Sequence, residues 1–191
     1  MIDVGRFALA ISFFISIYVI VVSLIGVLKK DVRMVASARR GIYAIFFLSS
    51  ISVAVLLNAF FTDNFQVKYV SHYSEISLPG YYKFTGLWAG QEGSLLFWIW
   101  GMAMAVALVA FQNRKERDHR FLPYAYAILM VIYAFFAILA SFMTNPFDLF
   151  PANQIPADGN GLNPMLQTYG MIIHPPALLW GYVGFAVPFA F

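Results

Sequence analysis

The chain has 191 residues, 61% hydrophobic and only 11% charged, with a mean hydropathy of +0.75. A soluble domain carries about 25% charged residues, and the long uncharged runs here lack the polar faces that soluble helices need. There is no cysteine, which excludes disulfide frameworks, thiolate metal sites and thiol nucleophiles.

Four stretches contain no charged residue: Arg6 to Lys29, Arg40 to Asp63, Glu92 to Arg114 and Arg120 to Asp148. Each exceeds the roughly 20 residues that cross a bilayer core. The first run, Phe7 to Leu28, is too long for the apolar part of a cleaved signal. It also meets Lys29-Lys30 rather than a small-residue cleavage site, so it reads as a retained helix over 7–28. Further helices are expected over 41–61, 94–112 and 121–143, and a fifth from Pro175. The run 175–191 is shorter than a full span, so the chain reads as the front part of a longer multi-pass protein or as one piece of a split one. The fold class is therefore an all-α integral membrane bundle of about five transmembrane helices, with long irregular outer loops, forming one unit over 1–191.

The net charge of +3 does not point to nucleic acid, because of where it lies. Five of the twelve Lys and Arg fall in Lys29 to Arg40 and four in Arg114 to Arg120, whereas the remaining connections share Arg6, Lys68 and Lys83. The positive-inside rule then places segments 29–40 and 113–120 in the cytoplasm. The N-terminus and the long loops 63–92 and 144–176 are expected outside. His119, among Arg117, Asp118 and Arg120, reads as a solvated inner residue.

The outer loops are unusual. The first holds Tyr69, Tyr73, Tyr81, Tyr82, Phe84 and Trp88, which suits either an interfacial aromatic belt or a flat apolar ligand. The second carries prolines at 146, 151, 156, 164, 175 and 176. Proline fixes φ and lacks an N–H, so no regular helix or central strand is expected there. Its apolar content argues for an ordered, functional loop.

After Asp158, His174 is the only residue of the Asp, Glu, Lys, Arg and His set. Pro175 and Pro176 suit a helix's first turn, where missing N–H groups cost little, so His174 is expected near the N-cap of the fifth helix. The helix dipole disfavours imidazolium there, and the neutral ring is the form that binds a metal or haem iron. A capping histidine fits the same pattern. Glu92 complements the dipole of the third helix, while Trp98 and Trp100 read as packing or interface anchors.

The strings TNPF, WAGQEGSLLFW, ADGNGLNPMLQ and IIHPPALLWGYVGF resemble the haem lyase family of cytochrome c-type biogenesis, the CcmF type, including its nitrite-reductase-dedicated relatives. The resemblance runs along the whole chain. It departs from the family pattern at Gln91, where histidine is common, at Tyr73-Ser74-Glu75, and at Thr168-Tyr169, which replaces a common Asp-Pro. It implies a multi-pass protein of the bacterial cytoplasmic membrane that takes b-type haem in transit from a haem chaperone. Other haem lyase and thiol-reducing subunits would be its partners in attaching the haem to apocytochrome c thiols outside.

The resemblance also implies that His174, in the family's HPP motif, is an axial ligand of haem iron and the chain's one metal-binding residue. Trp88, Pro175 and Pro176 would shape that site, with the second ligand elsewhere. Lys68 and Lys83 are the loop cations available to haem propionates, and His72 is a possible neighbour of His174. A transporter is the rival reading, but it calls for charged residues within the helices, where Asn58 and serines are found. A structural assembly subunit without cofactor is the other.

Overall fold

A computed structural model describes residues 1–114 and 121–191. Residues 115–120, with His119 and much of the second basic cluster, lie outside the described residues. Five helices are long and apolar enough to cross a membrane: α1 (Ile2–Leu28), α2 (Val32–Phe61), α5 (Gln91–Gln112), α6 (Leu122–Ile138) and α7 (Tyr169–Ala190). The chain is an all-α, multi-pass membrane bundle. Two short helices, α3 (Lys68–Tyr73) and α4 (Gly80–Thr85), lie in the first long connection.

The starts of α2 and α7 differ from the sequence expectation, whereas the helix expected over 121–143 spans Leu122–Met143. Helix α2 starts at Val32, not near 41, because Asp31 caps it by accepting a hydrogen bond from the Arg33 N–H (2.8 Å). The connection after α1 thus shrinks to Lys29-Lys30-Asp31, and Arg33, Arg39 and Arg40 ride on helix. Helix α6 continues past Ile138 into a π-helical turn, Leu139–Met143. Helix α7 begins six residues before Pro175 and is 22 residues long, a full span.

The buried positions of α1 follow helical spacing and are mostly small: Gly5, Ala8, Ser12, Ser16, Ser23 and Gly26. Lipid is as apolar as leucine, so membrane helices associate through close packing and polar contacts rather than hydrophobic burial. Each hydroxyl needs a partner. Ser12 donates to the Leu9 carbonyl (2.6 Å), Ser49 to Ile45 (2.8 Å) and Ser52 to Gly5 across the α1–α2 interface (3.0 Å). At the centre the fully buried Tyr133 of α6 bonds Ser12 (2.8 Å) and Ser49 (2.9 Å), tying three helices.

Alternating helix directions bring the start of α1, both long connections and the start of α7 to one end of the bundle. At the other end, Arg39 of α2 donates to the Arg114 carbonyl after α5 (3.0 Å).

Tyr133→Phe keeps the ring and deletes both interhelical bonds, while Ser12 and Ser49 retain their own carbonyls. Each such bond contributes about 0.6 kcal/mol, so we expect a loss of roughly 1 kcal/mol in equilibrium unfolding from detergent. An unchanged stability would show that the knot carries no net energy.

Candidate functional site

The two long connections fold into one cap by pairing with each other. Val67 and Leu149 form an antiparallel bridge, with the Lys68 N–H donating to the Asp148 carbonyl (2.9 Å) and the Phe150 N–H to Gln66 (2.8 Å). The second connection is pinned at each motif. Asn145 accepts from the Phe147 N–H and donates to the Ser141 carbonyl, both at 2.9 Å. Arg6 of α1 donates to the Phe147 carbonyl (3.1 Å) and pairs with Asp148 (2.9 Å).

Further on, Asp158 accepts from the N–H groups of Ile76 (2.9 Å) and Gly159 (2.7 Å), while Asn160 and Gly161 donate to the carbonyls of Ser71 and Ser74. At Gly159 the backbone lies so close to the Ser74 carbonyl that no side chain fits, and Gly161 has φ +76°. Beyond it, Asn163 caps the turn Pro164–Leu166 and Gln167 donates to the Leu162 carbonyl (2.9 Å). The irregular loop is therefore ordered over 144–168, and the exclusion of helix holds there. It fails over 169–176, which α7 takes up.

Tyr69 holds the turn that starts α5. Its hydroxyl donates to the Gly86 carbonyl (2.8 Å) and accepts from the Gly90 N–H (2.9 Å). Its ring packs edge-on against Phe60 (5.7 Å), and its hydroxyl lies where a side chain on Gly93 would stand. Burial, with smaller contributions from Tyr73 and Glu92, pushes the Tyr69 phenol well above the ordinary tyrosine value. Burial and Glu92 raise that of Tyr73 as well.

Held in this turn, Trp88 is 5% exposed, and its indole N–H donates to the Met171 carbonyl of α7 (2.9 Å). Helix α7 starts at Tyr169 after Thr168. His174 is therefore its sixth residue, one and a half turns in, and not at the N-cap. The dipole acts within the first turn, so the expected dipole argument for a neutral ring does not apply. Pro175 and Pro176 are interior, and as prolines they cannot donate to the carbonyls of Met171 and Ile172. The Trp88 N–H meets the first of these carbonyls.

His174 itself is exposed and has no hydrogen-bond partner among the described residues. The rest of the expected constellation separates. His72 is exposed and edge-on to Tyr73 (6.5 Å) and Phe150 (6.4 Å), within the paired connections. Lys83 is buried in an ion pair with Asp63 (2.6 Å), which removes it as a propionate partner. Lys68 keeps a half-buried ammonium over the Phe150 ring (5.9 Å). Trp98 stacks on Phe136 (4.2 Å) and Trp100 donates to Ser50 (3.0 Å), so both pack helices together. Glu92 and Gln91 occupy the first turn of α5. Tyr81 and Phe84 of α4 stay exposed, and Phe84 meets Trp88 edge-on (5.2 Å). No cluster of three metal-ligating side chains exists among the described residues. To a haem the described residues could offer one exposed imidazole, His174, and the exposed rings of Tyr81 and Phe84.

Comparison with known proteins gives this geometry a family. The sequence model described as cytochrome C assembly protein matches residues 88–191, more than half of the chain, beginning at Trp88 and including His174. The chain belongs to the cytochrome c assembly protein family. It is 40% identical to the cytochrome c-type biogenesis protein CcmF of Haemophilus influenzae, over 99% of this chain and 29% of that protein. It is 38% identical to NrfE of the same organism (98% and 29%) and 37% identical to CcmF of Escherichia coli (99% and 29%). A solved structure titled Cytochrome c Heme Lyase CcmF shares the fold, with a TM-score of 0.82 at 22% identity over 99% of this chain and 29% of that one. The chain thus spans about three tenths of the length of these relatives.

The raised Tyr69 value generates a pH prediction. A buried phenol that resists ionisation contributes stability that is full below its unfolded value of 10.0 and is lost as pH rises above it. Amide exchange over 63–93 is expected to accelerate above about pH 10. Tyr69→Phe should show faster exchange already at neutral pH and a flatter alkaline rise; an equally steep rise in that variant would assign the effect to another group.

Proposed function

We propose that the chain is the haem-handling front part of a cytochrome c maturation protein of the bacterial cytoplasmic membrane. In this reading it accepts haem from a haem chaperone and presents it to apocytochrome c outside the membrane, beside other haem lyase and thiol-reducing subunits. The observation that supports it best is His174, an exposed imidazole without a hydrogen-bond partner among the described residues, at the capped end of a family member. Imidazole is an axial ligand of haem iron, and here His174 would supply one such ligand. The exposed rings of Tyr81 and Phe84 offer an apolar surface to a flat macrocycle, and Lys68 a cation to its propionates. When bound, the haem supplies the vinyl groups to which the apocytochrome thiols add, so the chain needs no cysteine of its own. Its residues hold and orient.

The same reading sets the sidedness. The cap faces outward, and the end carrying Lys29, Lys30, Arg33, Arg39 and Arg40 faces the cytoplasm. Ser37 is half-buried in α2 and bonded to Tyr18 (2.8 Å), so Lys30 is the better inner probe position. Single cysteines at Lys30 and Asn160, both exposed, should label differently in intact spheroplasts with an impermeant thiol reagent. Only Asn160→Cys is expected to react, and the reverse pattern would invert the topology.

In the complete protein, His174→Ala is expected to insert at normal levels, because the side chain is exposed and makes no hydrogen bond. Haem-stained cytochrome c should nevertheless fall at least about tenfold, the usual scale for losing a ligand-level contact. His174→Cys should recover part of it, since thiolate also binds haem iron. Full maturation by the alanine variant would make the residue an ordinary surface histidine.

A further inference from the structure

We propose that Trp88 is a positioning residue for His174, acting through the single carbonyl that Pro175 leaves open; this rests on the ligand reading given above. An α-helical carbonyl accepts from the N–H four residues on, and for Met171 that residue is Pro175, which has none. The Trp88 indole N–H takes the vacant place at 2.9 Å, from a residue 83 positions away in sequence. One hydrogen bond thus repairs the helix and ties the imidazole's own turn to the start of α5.

The tie matters because, among the described residues, few other contacts reach that turn. Of the five spans, α7 is the least buried, and its buried residues are Met171, Val183 and Ala190. The next anchor along it is Trp180, packed against Phe97 (6.3 Å) and Trp100 (6.1 Å), more than one turn beyond His174. On its other side the indole is held firmly. It packs at a tilt against Phe97 (5.4 Å) and edge-on against Phe84 (5.2 Å), and its backbone sits in the turn closed by Tyr69 bonds to Gly86 and Gly90. Hence a buried chain runs from the cap through Tyr69 and Trp88 to Met171, three residues before the exposed ligand. Pro175 and Trp88 are two halves of one device: the proline opens an acceptor, and the indole fixes where the opened turn points.

The device predicts a specific suppression. In the complete protein, Trp88→Phe removes the N–H, whereas Pro175→Ala supplies Met171 with a helical donor of its own. Amide exchange of Gly170–His174 is expected to quicken about tenfold in Trp88→Phe, the scale of one net hydrogen bond. It should return to within about twofold of the parent in Trp88→Phe/Pro175→Ala. Benzothienylalanine at position 88 keeps the two-ring volume without an N–H and should behave as Trp88→Phe does, which separates the bond from packing. The low-spin absorbance of bound haem should weaken in Trp88→Phe and recover in the double variant. Unchanged exchange with benzothienylalanine, or a double variant no better than the single one, would overturn the proposal. Retention of the low-spin signal by His174→Ala would overturn the ligand reading instead, and the exchange series would still decide the tether.

Discussion

In a bilayer no water is at hand to satisfy a stray donor or acceptor, and each one left open costs several kcal/mol. Everything in this chain is arranged around that constraint. The spanning segments meet it by being helices, and Ser12, Ser49 and Ser52 by returning hydrogen bonds to carbonyls within or across helices, whereas the buried hydroxyls of Ser23, Tyr126 and Ser141 have no partner among the described residues. Tyr133 can sit at the centre of the bundle only because Ser12 and Ser49 both face its hydroxyl. The same rule shapes the cap. There two irregular connections satisfy each other's backbone groups, bonded through Val67–Leu149, Asp158 and the Asn160-Gly161 pair.

The proline pair is where the constraint is tested hardest. Proline interior to a helix costs about 3 kcal/mol or more, and two in succession open two acceptors. Membrane helices tolerate this when neighbours satisfy the freed groups, and Trp88 is such a neighbour for one of them. The cost then falls on a segment whose position is set by a contact from another element. That is useful where a ligand must be held at a definite place on an otherwise loosely packed helix.

The number of spans and their apolar character were legible because charge and hydropathy report them directly. The ends were not. Asp31 as a cap for α2 was visible in principle, since Asp is a favoured N-cap residue, but the basic residues after it drew attention to a loop. For α7 the signal lay in the departure at Thr168-Tyr169. An Asp-Pro pair fits an N-cap followed by N1, and Thr168 caps α7 with Tyr169 first in it. Reading the prolines at 175 and 176 as a helix start was reasonable for a soluble helix and wrong here, because α7 begins at Tyr169 and the donor missing at Pro175 is compensated by tertiary contact. No local pattern could reveal that compensation, for it joins residues 83 apart. Likewise Lys83 looked like a free cation until Asp63, twenty residues earlier, was found against it. The motif residues Asn145, Asp158, Gly159 and Asn163 were conspicuous as strings, yet their work is turn and cap chemistry, which only the fold displays.

A haem protein that keeps its cofactor usually encloses the ring, because apolar burial and ligation together slow dissociation. In the proposed reading these residues supply a cap, a fixed turn and an imidazole that stays exposed within residues 1–191. Tight enclosure would defeat a carrier, whose cargo must leave for the next protein, whereas a freely moving ligand would spend its binding energy on being ordered. Fixing the backbone of the ligand's turn through Trp88 while leaving the ring exposed meets both demands. It lowers the ordering cost of ligation without adding contacts that would have to be broken at release. In the proposed reading the paired connections therefore serve less as a pocket than as a foundation, and the residues that matter most for haem transfer include some that never touch the haem.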